Sequence, residues 1–142
     1  MSVQKQVVET TLCLMAGGML VLTGCSSPTI YQMEAGERSA GSEGMVTVEQ
    51  DNNGNFTGVL QIAHAPLPSQ LDEQSAIYVL WLQPTDANER YNMGKIRLDE
   101  DDRTGELVFT TPFNSFDLWV TAEPHGMETA PGDEVILRYS QE

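Results

Sequence analysis

The chain is 142 residues long and carries 21 Asp and Glu against 7 Lys and Arg, a formal net charge of −14 at pH 7. That length fits one domain. So acidic a surface repels phosphate backbones, and with no basic stripe in the sequence nucleic acid is excluded as a partner.

Residues 1–24 read as a targeting segment. Lys5 supplies a basic start, Thr11–Thr23 an apolar middle, and small residues precede the expected cut. The apolar run falls short of the roughly 20 residues needed to span a membrane. It ends Leu22-Thr23-Gly24-Cys25, which resembles the lipobox of bacterial lipoproteins. The resemblance implies cleavage before Cys25, lipid on Cys25, and the membrane as a partner through that lipid. Cys13 is then discarded, so the two cysteines leave no disulfide, thiol nucleophile or Cys-ligated zinc to expect. Loss of Lys5 and Glu9 with the leader leaves the net charge unchanged. Ser26 is not the acidic residue associated with inner-membrane retention, so the periplasmic face of the outer membrane is the expected location.

Residues 25–43 hold the lipidated Cys25 and a stretch that is poor in apolar residues and has no period. This stretch is expected to be a flexible tether reaching about 20–25 Å, with Ile30-Tyr31 as a pair able to dock on the domain edge. From Gly44 to the end, at 142, the pattern becomes short apolar alternations separated by turn residues. The expected strands are Met45–Glu49, Phe56–Ile62, Ala76–Leu82, Tyr91–Leu98, Leu107–Thr110, Phe116–Ala122 and Val135–Tyr139. Asp51-Asn52-Asn53-Gly54 suits a hairpin turn. Ala65-Pro66-Leu67-Pro68 suits a loop that passes between sheets. Ala76–Leu82 is apolar at both parities, as in a central strand covered on both faces. No segment shows a helical period. Seven short strands in about 100 residues predict an all-β fold, an immunoglobulin-like antiparallel β-sandwich, with a small barrel as the competing architecture.

Several pieces in order resemble a known family. Gly44-Met45-Val46-Thr47-Val48, Gly54, Leu60, Tyr78-Val79-Leu80-Trp81-Leu82, Gly94 with a Gly105 hairpin turn, Val120-Thr121-Ala122-Glu123-Pro124 and Pro131-Gly132 are similar to the C-terminal, extracytoplasmic domain of the anti-sigma-K factor family. The resemblance spans about residues 44–138 and implies a β-sandwich on the outer side of the cytoplasmic membrane. It singles out Tyr78, Trp81, Glu123, Pro131 and Gly132 as a candidate structural motif. In that family the sigma-binding module is a separate cytoplasmic domain joined by a membrane helix, and this chain carries a lipobox at the corresponding point.

Few residues suggest chemistry. Asp99-Glu100-Asp101-Asp102 invites a calcium reading, but its spacing misses the EF-hand pattern and suits a solvated hairpin turn. His64 and His125 fall in different loops and make a poor zinc site. Glu123 and His125, two apart, could turn the same way toward Arg138 or Arg97 as a catalytic dyad, although a structural ion pair or a turn cap suits Glu123 better. Trp119 has the opposite parity from Phe116, Leu118, Val120 and Ala122, so it faces outward with Thr121, as a candidate contact for a partner. No phosphate loop, nucleophile elbow or metalloprotease helix is present. The expectation is a non-enzymatic binding or interaction module without cofactor or metal. It would sit in the cell envelope, take an envelope protein or a small ligand, and serve envelope sensing or anti-sigma-type regulation. The competing readings are a calcium-stabilised structural domain and an enzyme using Glu123 and His125.

Overall fold

The computed structural model describes residues 5–7 and 27–141. The fold is an all-β antiparallel sandwich. Its strands are β1 (Lys5–Val7), β2 (Thr29–Ala35), β3 (Glu43–Gln50), β4 (Phe56–Ala63), β5 (Ile77–Pro84), β6 (Tyr91–Ile96), β7 (Gly105–Thr111), β8 (Phe116–Glu123) and β9 (Val135–Tyr139). A 3-10 turn at Glu37–Ser39 and a one-turn helix, α1 (Pro68–Leu71), complete the elements.

The strands run in the order β6-β5-β8-β9-β2-β3-β4-β7, with β1 beside β2. Strand β2 joins the two halves. Its Thr29–Met33 stretch pairs with Val48–Gly44 of β3, while Glu34 and Ala35 pair with Arg138 and Leu137 of β9. The two ends of the order, β6 and β7, approach one another without laddering, so the sandwich is nearly closed into a barrel. Side chains fill that seam. Leu107 lies where a Cβ on Gly94 would point, and the rings of Tyr91 and Phe113 stack with centroids 5.7 Å apart.

Alternation explains most of the packing. On β4, Gly58, Leu60 and Ile62 face inward, and on β8 so do Phe116, Leu118, Val120 and Ala122. They meet Tyr78, Leu80 and Leu82 of β5, Val46 and Val48 of β3, and Ile136, Leu137 and Tyr139 of β9 in one core. Burying such side chains contributes about 1.5–3 kcal/mol each. The hairpin between β3 and β4 is held by Asp51, whose Oδ1 accepts the N–H groups of Asn53 and Asn55 at 2.8 and 2.9 Å, with Gly54 at φ 84°.

Two expectations change. The span expected to be a tether contains β2 and the 3-10 turn, so the fold takes in residues 29–39 as well as the strands expected from Gly44. The pattern hides this strand because Gln32, Glu34 and the Ala-Gly-Glu-Arg-Ser run dilute its apolar residues, yet Tyr31 and Met33 alternate into the core. The stretch around Asp99–Gly105 is also not the turn of a hairpin. Strands β6 and β7 lie at opposite ends of the order, and the Asp99–Thr104 segment is a corner closed on itself by Asp99 N–H to Thr104 O at 2.8 Å and Arg103 N–H to Asp99 O at 2.9 Å. Strand β1 falls within the segment read as a leader, and Cys25 lies outside the described residues.

Candidate functional site

The outward face of the β5-β8-β9 half gathers most of the residues singled out above. Trp81 of β5 stands opposite Trp119 of β8, which stands opposite Arg138 of β9, which in turn stands opposite Glu34 of β2. One row of the sheet therefore reads Trp-Trp-Arg-Glu across four strands. The next row along the strands pairs Val79 with Thr121, and the one after pairs Ile77 with Glu123.

This face is not bare. The segment from Pro124 to Glu134 is tied back to the sheet's edge strand and to β8. Asn92 donates from Nδ2 to Gly126 O at 3.1 Å and to Glu128 O at 3.2 Å, and Ala122 N–H donates to Glu134 O at 3.0 Å. Val79 and Trp81 are fully buried. A chain of hydrogen bonds runs beneath. The Trp81 indole N–H donates to Thr121 Oγ1 at 2.8 Å, the Thr121 hydroxyl donates to Glu123 Oε1 at 2.6 Å, and Gly132 N–H donates to the same oxygen at 2.7 Å. The indole N–H, the Thr121 hydroxyl, the Gly132 N–H and Glu123 Oε1 each have a partner, as burial demands. A Cβ at Gly132 would sit 3.2 Å from Glu123 Oε2, which is the physical reason a glycine suits that position.

The candidate motif is thus partly assembled. Trp81, Glu123 and Gly132 belong to one network, with Pro131 just before Gly132 in the loop. Tyr78 belongs elsewhere. It faces the core, and its hydroxyl donates to Pro66 O at 2.6 Å, fastening the β4–β5 loop; burial pushes its pKa up. Thr121 is the link that sequence reading passed over as functional, although its parity with Trp119 and Glu123 was available as a signal.

The proposed dyad does not form. Glu123 is spent on Thr121 and Gly132, whereas His125 is exposed, with Nδ1 accepting Met127 N–H at 3.1 Å and lying 3.2 Å from Glu128 Oε1. Burial opposes ionisation of Glu128, but backbone N–H groups including that of His125, together with the imidazole, outweigh it and hold the carboxyl below its usual range. The acidic corner is likewise occupied with itself. Asp99 Oδ1 accepts the N–H groups of Asp101 and Asp102, both at 2.9 Å. Among the described residues no cluster of three His, Cys, Asp or Glu is arranged to hold a metal.

Trp119 is half-buried, and what covers it is the Arg90 guanidinium, 4.9 Å from the ring centroid. Arg90 is itself steered by Gln83, whose Oε1 accepts from Nε at 3.1 Å. Of the six Lys and Arg outside the leader segment, Arg90 lies over this ring and Arg138 holds the ladder position opposite it. A partly exposed tryptophan with a guanidinium over its ring and an arginine at the next cross-strand position suits a ligand that carries negative charge. A separate open hollow of about 900 Å³ lies by the far ends of β3, β4 and β7, with Ser42, Glu43, Arg97, Asp99 and Thr104 among its lining.

The fold and this face define an all-β antiparallel sandwich with a buried hydrogen-bond chain under a strapped loop and one partly exposed tryptophan beside it. No family model matches the chain, and no curated protein or solved structure matches it.

Proposed function

We propose that this protein is a lipid-anchored envelope lipoprotein that acts as a non-enzymatic binding module, with Trp119 at the centre of its contact surface. The observation that carries the reading is Trp119 itself, partly exposed on the outward face with Arg90 over its ring and Arg138 opposite it in the sheet. Tryptophan and arginine, with tyrosine, are enriched among the residues that dominate protein–protein interfaces. The address rests on Leu22-Thr23-Gly24-Cys25. The family-like pieces, read with that address, favour a part in envelope sensing on the periplasmic face of the outer membrane, with any sigma-directed step supplied by another protein.

The test has two arms. The chain expressed in a bacterial host should appear in the membrane fraction carrying lipid, and Cys25→Ala should release it. The detergent-solubilised chain, used as bait on envelope extracts, should retain a specific protein or ligand that Trp119→Ala and Arg90→Ala both lose while their melting temperatures stay within a few degrees of wild type. Equal retention by all variants would remove Trp119 from the contact.

A further inference from the structure

The two halves of the sandwich part company along β2. Strand β9 pairs with β2 only at Glu34 and Ala35, and Tyr139 is already paired with Leu118 of β8. The rings of Tyr31 and Tyr139 meet at 4.7 Å where the strands diverge. From Thr29 to Tyr31, β2 therefore has β3 on one side and an edge on the other, and it is on this edge that the chain's own Lys5–Val7 lies, antiparallel, with Lys5 opposite Tyr31, Gln6 opposite Ile30 and Val7 opposite Thr29.

Beside that edge is a cleft of about 180 Å³, lined by Thr29, Tyr31, Val48, Phe56 and Phe116 among others. It is below the ~300 Å³ at which sites for small molecules begin, and, with Ser27, Gln50 and Asn114 beside its aromatic walls, it has room for a single side chain. Residues directly opposite one another in a ladder share a face, so the positions held by Val7 and Lys5 both fall on the side of the sheet of Thr29 and Tyr31, which line the cleft. An open edge supplies main-chain hydrogen bonds and a neighbouring pocket supplies selectivity, the combination by which domains take up extended peptides.

We propose that the Thr29–Tyr31 edge of β2 is a strand-addition site for an extended polypeptide segment of pattern basic-x-aliphatic, running antiparallel to β2 with its aliphatic residue at the cleft. Lys5-Gln6-Val7 is such a segment, seated on the edge. If the leader is removed before Cys25, as the anchor reading in the preceding subsection has it, the mature chain loses this occupant and the edge passes to a segment of another envelope protein. The basic position matches a chain of net charge −14, and the same charge opposes edge-to-edge pairing of two copies.

The probe is a fluorescent peptide with the sequence of residues 2–9. The first receptor is the full-length chain with proline at all three of residues 5–7, because alternate N–H groups of a strand turn to its partner and proline there cannot donate to the ladder; the second is the processed chain purified from cells. The peptide should bind both at least tenfold more tightly than it binds the unprocessed wild-type chain and should slow amide exchange at 29–31. Peptides carrying proline at all three of residues 5–7, or Val7→Asp, should bind at least tenfold more weakly. The proposal is overturned if neither receptor, with its strand content intact, binds the peptide, if the altered peptides bind equally well, or if protection appears away from 29–31. Wild-type protection at 29–31 in the vacated chain would overturn it too. Trp119→Ala should leave peptide binding unchanged, and the N-terminal residue of the purified chain reports processing, so failure of the anchor or Trp119 reading is seen separately.

Discussion

Glu123 shows how one side chain can be placed by the needs of its neighbours. It is buried, yet its Oε1 takes a hydroxyl and a backbone N–H while the hydroxyl in turn takes the Trp81 indole. Replacing it with alanine leaves donors unmet, at a cost of about 1–3 kcal/mol each when buried. Glu123→Ala is therefore expected to lower unfolding stability by about 2–3 kcal/mol in urea titrations, whereas Glu123→Gln, which keeps an acceptor oxygen, should lose less than half as much. The opposite result, with Gln as harmful as Ala, would assign the role to charge. His125 and Glu128 differ in kind from this pair. The depressed carboxyl of Glu128 stabilises the folded loop fully above its unfolded pKa of about 4.3, and that contribution disappears as pH falls through the lower folded value. Amide signals of residues 125–128 should shift in that acid window, and Glu128→Gln should abolish the shift.

At the scale of elements, β2 and β4 carry the argument. Because β2 ladders with both β3 and β9, deleting residues 27–35 should do far more than shorten a connection. The cooperative thermal transition should be lost, measured by circular dichroism. A truncated chain that still melted cooperatively would restore the view of this span as a tether. On β4, Gly58 is paired with Phe109 of β7, and a Cβ there would lie 2.3 Å from the Phe109 ring. The phenyl group has taken the place of the missing side chain. Gly58→Ala should therefore destabilise by about 1–3 kcal/mol through overpacking, and the double variant Gly58→Ala/Phe109→Leu should recover part of it. The acidic corner between β6 and β7 engages the Asp99 carboxylate in its own turn. Added calcium is accordingly expected to leave the melting temperature unchanged, and a rise of several degrees would revive the calcium-stabilised reading.

For the whole molecule, three tyrosines report how tightly the sandwich shuts. Burial raises the pKa of Tyr31 and Tyr78 and pushes that of Tyr139 up to about 12, aided at Tyr139 by Tyr31 and Asp117. A folded pKa above the unfolded value of about 10 means stability that is complete below pH 10 and falls as pH rises beyond it. Thermal melts between pH 9 and 12 should show this decline. Tyr139→Phe, which cannot ionise, should flatten part of it. The seam between β6 and β7 is the other global feature, closed by Leu107, Tyr91 and Phe113 without backbone pairing.

Strands β3, β4, β7 and β8 were legible because they alternate between turn residues, and the two-sided burial of β5 was legible because apolar residues occupy both parities. Trp119 and Thr121 could be assigned to one face by counting, since a strand has period two. What counting cannot supply is a residue's partner. Strand β2 was invisible because its apolar residues are few and its strength lies in pairing with two distant strands. The Trp81-Thr121-Glu123-Gly132 chain, the Arg90 cover on Trp119 and the separation of β6 from β7 likewise depend on which strands become neighbours. The sequence by itself determined the strand rhythm, the acidic surface and the Cys25 signature, all of them local properties of the chain. Tertiary structure alone decided how the strands are ordered, that Thr29–Ala35 is one of them and which polar groups are buried together, because pairing and burial are set by contacts between residues far apart in sequence.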